Sequence, residues 1–166
     1  SLKNAGEITG DTRIVTVCDR EADIYEFFKL SEEIRSPVLV RANVDRAINK
    51  RSRYAEKSVV GLWEHMGKQP SAGTITVEIP ARRKTQHCKE RDPRTAVLTI
   101  KFGSFLLNPP RNNVKHRSSE LPDLRMHAVY VFETNPPEGA EPVEWMLLTN
   151  LGVTNFDEAC EKVRWY

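Results

Sequence analysis

The chain has 166 residues, 39% of them hydrophobic, and a formal net charge of +2. That length suits one domain with its own core, and no apolar run is long enough to span a membrane. Three scattered cysteines, Cys18, Cys88 and Cys160, argue against a disulfide framework and for a reducing compartment. No CxxC pair and no HxxxH spacing points to zinc. No signal peptide is visible.

Residues 13–18 are near-continuously apolar after Arg13 and rich in β-branched side chains, which predicts a strand buried on both faces of a sheet. The run stops at Asp19, and Arg20, Glu21 and Asp23 follow at once. Residues 21–30 predict a helix with Ile24, Phe27 and Phe28 inward and acids in the first turn, where the helix dipole favours them. Residues 37–42, PVLVRA, predict a second buried strand. Strand, helix and strand make a β-α-β unit, with parallel strands and a right-handed crossover.

Residues 59–70 predict a short helix closed by Gly67 and Pro70. The texture then changes. Residues 73–80 alternate like a half-buried strand. Residues 95–107 predict two strands, or one bent around Gly103, and residues 125–134 another. The segment from about 70 to 140 therefore reads as an antiparallel β unit. EWMLLTN, 144–150, is again a buried strand. In NFDEACEKVRWY, Asn155 can cap a helix, with Glu158 three residues on. Phe156, Ala159, Cys160 and Val163 fall on one stripe of it. No Gly, Pro or Asn closes this helix, and no Met begins the chain, so the sequence reads as a fragment ending inside a helix.

Charge is unevenly spread. The ends are acidic. Arg41, Arg46, Lys50, Arg51, Arg53 and Lys57 crowd residues 41–57; Arg82, Arg83, Lys84, Lys89, Arg91 and Arg94 crowd residues 81–94; Arg111, Lys115 and Arg117 follow. Such a basic middle is either a track for phosphates or the ordinary solvated loops of a mixed-charge surface.

Two readings of Asp19 stay open at this point. It caps the helix that follows, or it holds a metal. Open α/β sheets bind ligands at the carboxyl ends of their strands. Mg²⁺ takes oxygen ligands, commonly from one or two carboxylates and substrate phosphates. Phosphoryl transfer between paired ions needs several carboxylates from different elements. Glu21 and Asp23 are poor second ligands, because they point around the first helical turn.

VCDREADIYEFF resembles the segment around the second catalytic aspartate of bacterial cut-and-paste DDE transposases, in the subgroup with a Tyr-Arg-Glu-Lys signature. PVLVRANVDR resembles the following strand with its DNA-contacting arginines. LWEHMGKQPSAGTITVEIP resembles the entry to that family's β insertion, and NPPEGAEPVEWMLLTN its exit through a Trp-Leu-Leu-Leu-Thr strand, with Met146 at the second position here. The resemblance covers most of the chain and is weakest from about 81 to 125.

It implies an α/β fold: part of an RNase H-like mixed sheet with helices, interrupted by an antiparallel β insertion. Residues 1–69 would be the first part of the catalytic core, 70–140 the insertion, and 141–166 the return to the core, cut inside a helix. It implies Mg²⁺- or Mn²⁺-dependent phosphoryl transfer on DNA: end nicking, hairpin formation and opening, and strand transfer. The partners it implies are transposon ends and target DNA, with a homodimeric parent at the bacterial nucleoid and no membrane. Asp19 falls on the second catalytic aspartate, a direct metal ligand. Arg41 and Arg46 fall on DNA-facing positions, and Arg20 adjoins the metal site, within reach of phosphate. Trp145 falls on a tryptophan that stacks on a flipped base; the alternative is that it simply begins the core of its strand. Tyr166 falls on the first signature residue. The other two catalytic acids would lie before Ser1 and after Tyr166, so this chain alone is expected not to cut DNA.

Three competing readings remain. One is a related RNase H-like nuclease. Another is a non-enzymatic nucleic-acid-binding module working through the basic loops. The last is a phospho-acceptor signalling domain with Asp19 as acceptor, which the long basic β segment fits poorly.

Overall fold

The computed structural model describes residues 14–48, 60–84, 90–110 and 121–166. The basic residues Lys50, Arg51, Arg53, Lys57, Lys89, Arg111, Lys115 and Arg117, and the His87–Cys88 pair, lie outside the described residues. The chain opens with β1 (Thr16–Cys18), a 3-10 turn (Arg20–Ala22), α1 (Tyr25–Glu33) and β2 (Val38–Arg41). Next come β3 (Ala47–Ile48), β4 (Val60–Gly61) and α2 (Leu62–Gly67). The strands β5 (Gly73–Ile79), β6 (Arg94–Leu107), β7 (Leu124–Glu133) and β8 (Glu144–Thr149) follow, and α3 (Phe156–Trp165) is the last helix.

The strands form one mixed sheet in the order β1-β2-β8-β7-β6-β3-β4, with β5 also paired to β6. β1 and β2 are parallel, as the β-α-β pattern predicts, with Thr16 opposite Val38 and Cys18 opposite Val40. Every other pairing is antiparallel. The fold is thus mixed α/β. The antiparallel strands from 73 to 133 join the same sheet, because β7 pairs directly with β8 and β8 with β2. β6 is a single strand of 14 residues that runs through Gly103 without a break.

Two hydrophobic cores lie on the two faces of the sheet. α1 and α2 cover one face, with Phe28 and Met66 against Val40, Met126 and Leu148. α3 covers the other, with Ala159 and Val163 sharing a core with Leu39, Val129 and Leu147. Strand alternation explains the split, since Leu39 and Val40, or Leu147 and Leu148, point opposite ways. Among the described residues, no helix is long and apolar enough to cross a membrane.

Two sequence expectations need correction. β1 is not buried on both faces; it lies at one end of the strand order, and Val17 is 40% exposed. The helix does not run from residue 21. A 3-10 turn comes first, and α1 starts at Tyr25. The cause is Asp23, whose buried carboxylate accepts from the amides of Asn43 at 2.7 Å and Val44 at 3.4 Å and pairs with Arg46. Holding Asp23 there delays the helix and turns Ile24 outward, 52% exposed. Tyr25 turns in instead, and its hydroxyl donates to the Pro122 carbonyl. Burial pushes that phenol up to about 12.

Candidate functional site at the end of the first strand

Asp19 follows β1 directly and is exposed. Its Oδ1 accepts from the Arg20 amide at 2.8 Å, so it does cap the 3-10 turn. The same oxygen accepts from the Tyr166 hydroxyl at 3.2 Å, across a sequence separation of 147. Oδ2 has no hydrogen-bond partner among the described residues. Arg41 ends β2. Its Nη1 donates to the Tyr166 hydroxyl and its Nη2 to the Glu144 carbonyl, each at 3.4 Å. Trp145 meets the Tyr166 ring edge to face, with centroids 5.5 Å apart and planes at 65°.

The topology explains why these side chains meet. Parallel pairing of β1 and β2 sets Cys18 opposite Val40, so the next residues, Asp19 and Arg41, become neighbours. Arg41 lies opposite Leu147 in antiparallel β8, and Trp145 is two residues back on the same face. α3 packs on that face and delivers Tyr166 at its end. The sequence picked out Asp19, Arg41, Trp145 and Tyr166 separately. The fold gathers them at one end of the adjacent strands β1, β2 and β8.

The electrostatics follow from these contacts. The Arg20 amide holds the Asp19 carboxyl below the usual aspartate range, against an opposing effect of burial. The Tyr166 hydroxyl and the guanidiniums of Arg41 and Arg20 add to the lowering. Hydrogen bonds and positive charge favour the ionised form. Asp19 therefore presents a carboxylate at neutral pH, with one oxygen engaged and the other open. The Arg20 side chain is exposed beside it, and its guanidinium has no hydrogen-bond partner among the described residues.

Other expected site residues sit elsewhere. Arg46 donates to the Asp23 carboxylate and, at 3.0 Å, to the Asp23 carbonyl, and its side chain is only 14% exposed. Its guanidinium is turned into the fold. In the 81–94 run, Arg94 forks onto Glu133, Arg82 pairs with Glu141 at 3.2 Å, and Arg91 donates to the Pro80 carbonyl. Arg83 and Lys84 are exposed.

As a metal centre the donor set is thin. Among the described residues, no group of three His, Cys, Asp or Glu side chains could hold an ion together. Asp19 offers one hard oxygen ligand, which suits Mg²⁺ or Mn²⁺. Asp23 does not join it, because its carboxylate is committed to Arg46 and the 43–44 amides.

No protein-family model matches the chain. One participant was not singled out in the sequence: Glu144, whose carbonyl receives Arg41. Its signal was the alternation of EWMLLT, which sends Glu144 and Trp145 to opposite faces.

Proposed function

We propose that this chain is part of the catalytic core of a DNA transposase with an RNase H-like sheet, acting on DNA by metal-dependent phosphoryl transfer. One observation carries the reading. Asp19, Arg41, Trp145 and Tyr166, drawn from separate segments, meet at the carboxyl end of a strand in a mixed α/β sheet.

Each group has a role that suits its chemistry. Asp19 would be one ligand of Mg²⁺ or Mn²⁺ through its open oxygen. When bound, such an ion supplies charge neutralisation at the phosphate under attack. Arg41 and Arg20 present guanidiniums that match phosphate geometry. Trp145 offers a flat aromatic surface for an unpaired base. Tyr166 links these parts, holding Asp19 and Arg41 through its hydroxyl and Trp145 through its ring. Among the described residues Asp19 belongs to no group of three metal-ligating side chains, so the chain alone is expected to bind DNA and a divalent ion without cutting.

The test has two parts. Mn²⁺ titration followed by electron paramagnetic resonance should show a weak site that Asp19→Ala weakens at least tenfold. Equal binding by the variant removes the ligand role. Supercoiled plasmid incubated with the chain and Mn²⁺ should stay intact. Nicking that disappears in Asp19→Ala would show that the chain is a complete nuclease.

The thin donor set favours a second reading, a non-enzymatic nucleic-acid-binding module. It predicts DNA binding that falls steeply with salt and ignores both metal and Asp19.

A further inference from the structure

The start of β8 carries neighbouring side chains on opposite faces of the sheet. Trp145 lies opposite Val131 and shares the α3-side core. Glu144 lies opposite Phe132, on the other face. The Trp145 indole nitrogen makes no hydrogen bond to a described residue, and its ring contact is with Tyr166. The strand backbone, rather than an anchored N–H, therefore aims the indole.

Glu144 is where that backbone is held. Its Oε1 accepts from the Tyr130 hydroxyl at 2.7 Å and from the Trp63 indole N–H at 3.2 Å. Its main-chain oxygen accepts from Arg41 at 3.4 Å. Tyr130 belongs to β7, Trp63 to α2 and Arg41 to β2, so residue 144 is tied to both neighbouring strands and to a helix. Tyr130 is itself stacked on Phe132, with centroids 4.9 Å apart, which limits where its hydroxyl can go. An acid beside a phosphate-binding surface opposes binding through its charge. This one is turned to the opposite face, where neutral donors hold it.

We propose that Glu144 is a positioning residue for Trp145: by fixing the first residue of β8 from one face, it sets the direction of the indole on the other. The functional weight of this rests on the reading of Trp145 as a base-stacking surface.

The experiment uses the chain labelled with 5-fluorotryptophan, with the Trp145 fluorine resonance assigned through Trp145→Phe. Trp63 and Trp165 give the other two signals. Glu144→Ala should shift or broaden the Trp145 resonance and leave Trp165 in place. Glu144→Gln keeps an acceptor oxygen and should restore it. Tyr130→Phe, which removes one donor, should fall between, and this variant carries the test if Glu144→Ala does not fold. An unmoved Trp145 signal in the folded variants overturns the proposal. So does an equal movement of Trp165, which would mean general loosening.

A DNA arm tests the underlying reading separately. A hairpin with one unpaired 2-aminopurine should bind Glu144→Ala roughly fivefold or more weakly, the lower end of what one base–aromatic stack contributes. A fully paired hairpin should bind both proteins alike. If the resonance moves but Trp145→Ala binds the unpaired probe as wild type does, the positioning role stands and base stacking falls.

Discussion

At the scale of single residues, arginines that look equivalent in sequence do different work. Arg41 stands at a strand end and reaches a tyrosine hydroxyl and a carbonyl. Arg46, five residues on, neutralises the buried Asp23. Arg46→Met should therefore act on stability, by about 3 kcal/mol or more, because it leaves a buried carboxylate without its cation. Urea unfolding checks this, and Arg41→Met should cost far less in the same assay. Glu133 gives a pH test. The Arg94 fork, helped by the Val143 amide, holds its carboxyl below the usual glutamate range against the effect of burial. With the folded value lowered, the stabilisation is fully present above the ordinary glutamate pKa and is lost as pH falls through the folded one. The melting temperature of wild type should thus drop on acidification below roughly pH 4.3. Glu133→Gln should start lower at neutral pH and show a flatter acid limb. The place of Asp19 at a strand end was legible because a charge interrupts an apolar run. The fate of Arg46 was not, because its partner lies 23 residues back and is brought near only by the turn after β2.

At the scale of elements, helix ends were easier to read at α3 than at α1. Asn155 caps α3 as its spacing predicts, with Oδ1 accepting from the Glu158 amide at 2.9 Å. The reciprocal bond closes one residue earlier than a standard capping box, since Glu158 Oε2 accepts from the Thr154 amide at 2.7 Å. Asn155→Ala should cost about 1 kcal/mol, read as a lower melting temperature. Because α3 delivers Tyr166, the same variant should also weaken protection of the Tyr166 amide in hydrogen exchange. α1 was misjudged because Asp23 looked like an ordinary first-turn acid. Only the fold shows that it is taken by a neighbouring turn. The cap of α2 was equally hidden: Gly61 has no side chain to offer, and Asp45 serves in its place by accepting from the Trp63 amide at 3.1 Å.

At the scale of the molecule, hydrophobic patterning did most of the predictive work. The strands from 73 to 149 were found close to their limits, β5 by its alternation and β8 as a buried apolar run. Their union into a single sheet with β1 and β2 was not legible, since local pattern says nothing about which edge joins which. The two faces offer a test. Leu147 and Leu148 are both fully buried but feed different cores. Each substitution to Ala should cost about 2–5 kcal/mol. Leu147→Ala lies under α3, so its disturbance should reach Tyr166 and Trp145, whereas Leu148→Ala should loosen α1 and α2. Amide exchange mapped on both variants would separate the two faces.

The hydroxyl of Tyr166 on Asp19 also has a bearing on synthesis. The cluster joins the nineteenth residue to the hundred-and-sixty-sixth, so no nascent chain holds it until α3 has left the ribosome and docked. β1 and β2 can pair early, because few residues separate them. Between those two events Asp19 and Arg41 stand apart from Tyr166. The order of translation thus keeps the parts of the cluster separate until the sheet beneath them is complete.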